Sequence, residues 1–140
     1  RRPKRKATAT DRGVIATGPE GRRLLPNLTV YENVVLAARP GGIGVDKAYE
    51  LFRRLHNRRS IEAESLSGGE RQMVAIARAL MAPARLILLD EPFEGLAPAV
   101  VQEVMEAVKR LRRQVSMIIV EHHAESVLGI ADRAFVLVNG

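Results

Sequence analysis

Apolar positions change period several times along the chain, and each change marks an element. "GVIAT" (13–17) is a short apolar run that predicts a strand, and "PEGRRLLPN" (19–27) predicts a loop. Thr29 followed by Glu32 has the spacing of a capping box, so "VYENVVLAA" (30–38) is predicted to open as a helix. "RPGGIG" (39–44) is a cluster of helix breakers. Beyond it, Ala48, Leu51, Phe52 and Leu55 recur at helical spacing and predict a helix over 46–56. A second capping box, Ser67 with Glu70, precedes Met73, Ile76, Ala77 and Leu80, which predict a helix ending before "APA" (82–84). "RLILLD" (85–90) is a continuous apolar run, the pattern of a strand buried on both faces. Pro98 then starts a helix with Val101, Val104, Met105, Val108 and Leu111 on one side. "VSMIIV" (115–120) predicts another buried strand, 123–131 a short helix and "AFVLV" (134–138) a last strand.

From residue 85 onward strands alternate with helices, which implies an α/β fold with a parallel sheet. The middle of the chain, about 22–82, is helical and reads as a separate subdomain beside an α/β core at about 83–140. The 140 residues are enough for one modest domain. Hydrophobic residues make up 46% but aromatics only 4%, so aliphatic side chains must build the core. The absence of cysteine excludes disulfides and thiolate metal sites. No apolar run approaches the ~20 residues needed to span a bilayer. Of the net charge of +6, much sits in "RRPKRK", where five of six residues are basic, followed by "ATAT". Residues 1–12 therefore read as a solvated, disordered start rather than a nucleic-acid arm. The remaining basic pairs are not interleaved with aromatics that could stack on bases, so no nucleic-acid partner is expected.

"SLSGGERQ" (65–72) raises a physical question, because a glycine inside a helix costs about 1 kcal/mol relative to alanine. The capping box accounts for Ser67 and Glu70 but not for Gly68 and Gly69. A helix N-terminus carries partial positive charge and unpaired N–H groups, and glycines let an anion approach them. The stretch therefore suits a phosphate, although Ser-Gly-Gly is also ordinary loop chemistry.

In open α/β sheets ligands sit at the carboxyl ends of strands. Asp90 and Glu91 emerge there from "LILLD", and Glu121 and His122 emerge from "MIIV" on the same edge. An aspartate at that place can hold Mg2+ through water, and the adjacent glutamate can polarise an attacking water as general base. A histidine beside them can donate to a phosphate oxygen. An acidic turn after a strand is the structural alternative.

"LSGGERQ", "LILLDEP", "EGLAP" and a strand ending in histidine, in that order and spacing, resemble the ATP-binding subunit of ABC transporters. "GPEGRRLLPNLTVYENVVLAA" is similar to the branched-chain amino acid importer group. The resemblance spans about Gly13 to Gly140. It implies the P-loop NTPase fold of ABC type, ATP and Mg2+ as ligands, and transport powered by ATP hydrolysis. By that resemblance Ser67, Gly68, Gly69 and Glu70 form the signature that meets the ATP of a second ATP-binding subunit. Asp90 resembles the Mg2+-organising aspartate, Glu91 the catalytic base and His122 the switch histidine. Glu20 stands at the Q-loop position, and Gly95, Leu96 and Ala97 match the D-loop, with alanine where many relatives have aspartate. Membrane permease subunits are the other implied partners, on the cytoplasmic, inner face of the cell membrane.

One departure is large. Gly13 and Gly18 have P-loop spacing, but Pro19 and Glu20 follow them instead of lysine and a hydroxyl residue. Proline supplies no N–H and glutamate repels phosphate, so the chain reads as the C-terminal part of a subunit whose P-loop lies upstream. Two other functions stay open at this stage. An ABC-type ATPase of DNA repair or chromosome organisation shares the signature but would carry long heptad arms, and none are present here. A non-catalytic permease-interacting module would keep the helical lobe alone.

Overall fold

The computed structural model describes residues 14–17, 24–123 and 125–138. Three strands, β1 (Val14–Thr17), β2 (Leu86–Asp90) and β3 (Ser116–Val120), form one parallel sheet in the order β1-β2-β3. Val14 pairs with Leu86 and Leu86 with Ser116, so the strands start level and leave the sheet at one edge. Parallel neighbours need long crossovers. The first holds α1 (Val30–Val35), α2 (Val45–Leu51), α3 (Arg53–Asn57), a 3-10 turn (Ala63–Ser65) and α4 (Gly68–Leu80). The second holds α5 (Pro98–Leu111), and α6 (Glu125–Leu128) follows β3. The α/β parallel architecture expected from the alternation is the one that forms.

Both capping boxes close as their spacing predicts. Thr29 Oγ1 accepts the Glu32 N–H while Glu32 accepts the Thr29 N–H, and Ser67 and Glu70 do the same for α4. Buried Val30, Val34, Phe52, Leu55, Met73, Ile76, Ile87, Leu89, Val104 and Val108 belong to one apolar cluster that runs from the helices onto the sheet. Among the described residues no helix is long and apolar enough to cross a membrane.

Several predicted elements are corrected. The helix over 30–38 stops at Val35, because the chain turns there to reach the end of α4. The Arg39 and Ile43 N–H groups donate to the Met81 and Leu80 carbonyls at 2.9 and 3.1 Å, satisfying acceptors that a helix end leaves unpaired. A Cβ on Gly42 would lie 2.0 Å from the Met81 oxygen, so this approach requires glycine. The helix over 46–56 is two helices broken at Phe52, whose backbone leaves the helical region (φ −125°, ψ 76°) and whose side chain is fully buried.

The two apolar strands are not buried on both faces. In β2, Ile87 and Leu89 are buried but Leu86 and Leu88 only partly, and in β3 Ile118 and Val120 are more than half exposed. The helix over 123–131 shrinks to Glu125–Leu128. Residues 134–138 form no strand, and Phe135, Val136, Leu137 and Val138 are exposed. An apolar run becomes a strand only where a neighbouring strand takes up its N–H and C=O groups, and among the described residues none lies beside it.

Candidate functional site

The two signature glycines differ in surroundings. At Gly68 an added Cβ would meet nothing within 4 Å, so the first turn of α4 is open to an approaching group. At Gly69 the same Cβ would lie 2.5 Å from Val100 Cγ1, so this glycine lets α4 pack tightly on α5. Gly68 therefore leaves room for a phosphate, while packing against Val100 by itself accounts for a glycine at 69.

Ser67 and Glu70 form the cap of α4, and the Glu70 carboxylate also lies 3.2 Å from Arg58 Nε, just past the end of α3. Burial works against ionisation of Glu70. The hydrogen bonds from Ser67 and the charge of Arg58 outweigh it and hold the carboxyl below the usual range. The cap is thus tied to the helices before it by a charged contact.

At the sheet edge, Asp90 ends β2 opposite Val120 and is exposed. The Glu91 N–H donates to the Val120 carbonyl at 2.9 Å, extending the ladder by one residue. There the backbone turns, and Glu91 is the one non-glycine residue with positive φ (46°) among those described. Such a conformation costs on the order of 1–3 kcal/mol and persists only where surrounding contacts enforce it. The turn brings Glu91 Oε1 to 2.6 Å from His122 Nε2, which lies just beyond β3 and is well exposed. The predicted meeting of these two residues at one edge is what the structure contains.

The segment after the turn includes Gly95 in the left-handed region (φ 67°), and it passes through Leu96 to Ala97, the N-cap of α5. Glu20 lies outside the described residues. Sequence reasoning assigned no role to two organising side chains, Asn33 and Glu121. Asn33 is fully buried, and its amide donates to the Leu25, Leu28 and Thr29 carbonyls and accepts the Leu25 N–H, fixing the loop before α1. Glu121 Oε1 accepts the Phe93 N–H at 3.1 Å. Neither has a periodic signal, since each acts through a backbone group that only the fold brings near.

Among the described residues no group of three or more His, Asp or Glu side chains is placed to hold a metal. A single exposed carboxylate at Asp90 fits Mg2+, which binds through one or two carboxylates together with substrate phosphates and water. Open backbone at Gly68 likewise fits a phosphate.

Residues 1–94 match the profile of the ABC transporter family. Over 136 residues the chain is 46% identical to the high-affinity branched-chain amino acid transport ATP-binding protein BraG of Pseudomonas aeruginosa, covering 90% of this chain and 57% of that protein. It is also 46% identical over 87 residues to the lipopolysaccharide export system ATP-binding protein LptB of Acidithiobacillus ferridurans, covering 61% and 36%. Among solved structures, a nucleotide-free ATP-binding cassette from an ABC transporter matches with a TM-score of 0.69 and 27% identity, over 89% of this chain and 56% of that one. The chain spans about half the length of the curated relatives it matches.

Proposed function

Because the chain belongs to the ABC transporter family, we propose that it is part of an ATP-binding subunit that powers an importer for branched-chain amino acids. The observation that carries the ATPase reading is the 2.6 Å contact between Glu91, on its strained turn, and His122 at the carboxyl edge of the parallel sheet, and the similarity to BraG supports the solute class. Glu91 accepts the proton of the water that attacks the γ-phosphate, and His122 donates to a phosphate oxygen as charge develops there. Asp90 would hold Mg2+, which when bound would neutralise phosphate charge. Ser67 and the open N–H groups at Gly68 receive the phosphate of ATP held by a second ATP-binding subunit. Glu70 braces that cap. Glu20 stands at the Q-loop position, through which such a subunit senses its permease, and Gly95, Leu96 and Ala97 form the D-loop. The assembly sits on the inner, cytoplasmic face of the membrane. The helical stretch of about 22–82 acts as one lobe, and about 83–140 supplies most of the α/β core, whose sheet β1 also joins.

A subunit of a lipopolysaccharide exporter is the second reading, favoured by the identity to LptB. At comparable coverage the importer subunit is the more similar, 46% identical over 90% of this chain against 35% over 87% for the LptB of Escherichia coli. The test is Glu91→Gln in the full-length subunit. General-base removal typically lowers the rate ~10²–10⁴-fold, while ATP binding persists. A loss of less than tenfold removes Glu91 from the role of base. Uptake of labelled leucine by cells with and without the gene separates importer from exporter.

A further inference from the structure

Glu91 occupies a backbone conformation that side chains disfavour, so something must hold it there. Its own N–H is bound by Val120, and the Glu94 N–H returns to the Glu91 carbonyl at 3.2 Å. Between them Pro92 offers no N–H, which leaves Phe93 as the other donor of the turn. Its N–H goes to the half-buried Glu121 carboxylate, a side chain from the neighbouring strand end, while the Phe93 ring is buried. The turn carrying Glu91 is therefore pinned to β3 at two points, one main-chain and one through a side chain.

We propose that Glu121 is a positioning residue: its carboxylate fixes the Glu91–Phe93 turn and so aims the Glu91 carboxylate at the reacting water. The proposal rests on the reading of Glu91 as general base. Misplacing a reacting group by about 1 Å can cost ~10²-fold in rate, so the effect falls on turnover and not on nucleotide affinity.

The test uses the full-length subunit with Glu121→Gln, which keeps an acceptor, and Glu121→Ala and Glu121→Met, which do not. Two quantities are read: kcat and KM for Mg-ATP, and hydrogen exchange at the Phe93 amide. Glu121→Gln is expected to keep kcat within threefold of wild type and to leave the Phe93 amide slow. Glu121→Met is expected to lower kcat at least tenfold with KM changed less than threefold, and to make that amide exchange fast. Glu121→Ala should do the same, and if it fails to fold, Glu121→Met decides. The proposal is overturned if Glu121→Met keeps more than a third of wild-type kcat, if Glu121→Gln falls as far as Glu121→Met, or if Phe93 exchange is unchanged. A wild-type subunit without ATP turnover would sink the hydrolytic role of Glu91 instead, and Phe93 exchange would still decide whether Glu121 holds the turn.

Discussion

Replacing each signature glycine by alanine should shift stability in opposite directions. Alanine in place of a helical glycine gains up to about 1 kcal/mol of propensity. At Gly68 the new methyl enters open space, so Gly68→Ala should be neutral or stabilising. At Gly69 it would lie 2.5, 3.2 and 3.3 Å from Cγ1, Cγ2 and Cβ of Val100. Valine is stiff at χ1, and its Cβ, fixed to the backbone, is itself in close contact, so Val100 has little room to swing aside. Overpacking of this kind costs typically ~1–3 kcal/mol, which exceeds the propensity gain. Gly69→Ala should therefore destabilise by up to about 2 kcal/mol. Chemical denaturation of the full-length subunit measures both changes. A double-mutant cycle with Val100→Ala assigns the cause, because removing the valine methyls should return a coupling energy of at least ~1 kcal/mol. If Gly69→Ala is as stable as Gly68→Ala, or if the cycle shows no coupling, then helix packing does not explain Gly69.

Two further outcomes follow from the same helix start. Gly68→Asp should leave folding and ATP binding of the full-length subunit nearly intact but abolish ATP-driven pairing of two subunits, because the new carboxylate repels the incoming phosphate; sedimentation with and without ATP reads this, and retained pairing refutes it. Glu70 has a carboxyl lowered on folding, so its stabilising contribution is complete above the unfolded carboxylate range and is lost as pH falls through the folded value. Arg58→Met should therefore destabilise at pH 7 by about 1 kcal/mol, since the Arg58 side chain is only part-exposed and solvent still screens the pair. The gap from wild type should close on acidification, and a pH-independent gap would count against the ion pair.

What the sequence made legible was local or periodic. The capping boxes at Thr29 and Ser67 need only a three-residue spacing, and the strand–helix–strand order around α5 needs only a change of period. The edge chemistry was legible too, because Asp90, Glu91 and His122 stand directly at the ends of apolar runs. The failures are long-range. The break falls at the fully buried Phe52, where no glycine or proline marks it in the sequence. Exposure of Ile118, Val120 and residues 134–138 depends on which neighbours are present, which an apolar run does not encode. Gly69 looked equivalent to Gly68 because a sequence does not reveal that Val100 will pack against only one of them.

The arrangement of the edge follows from register. Asp90 pairs with Val120, so the residues just past the two strands are brought together without any closeness in sequence. Were both chains to continue straight, Glu91 would lie opposite Glu121, two carboxylates side by side. The left-handed turn at Glu91 avoids this by moving the chain away after one further ladder bond, and it leaves the two glutamates with different neighbours. Glu91 meets His122, while Glu121 takes the Phe93 N–H. One carboxylate is thus left at the exposed histidine, where chemistry is possible, and the other is committed to the backbone. Backbone strain at Glu91 is the cost of separating them, and the hydrogen bond at Glu121 helps offset it.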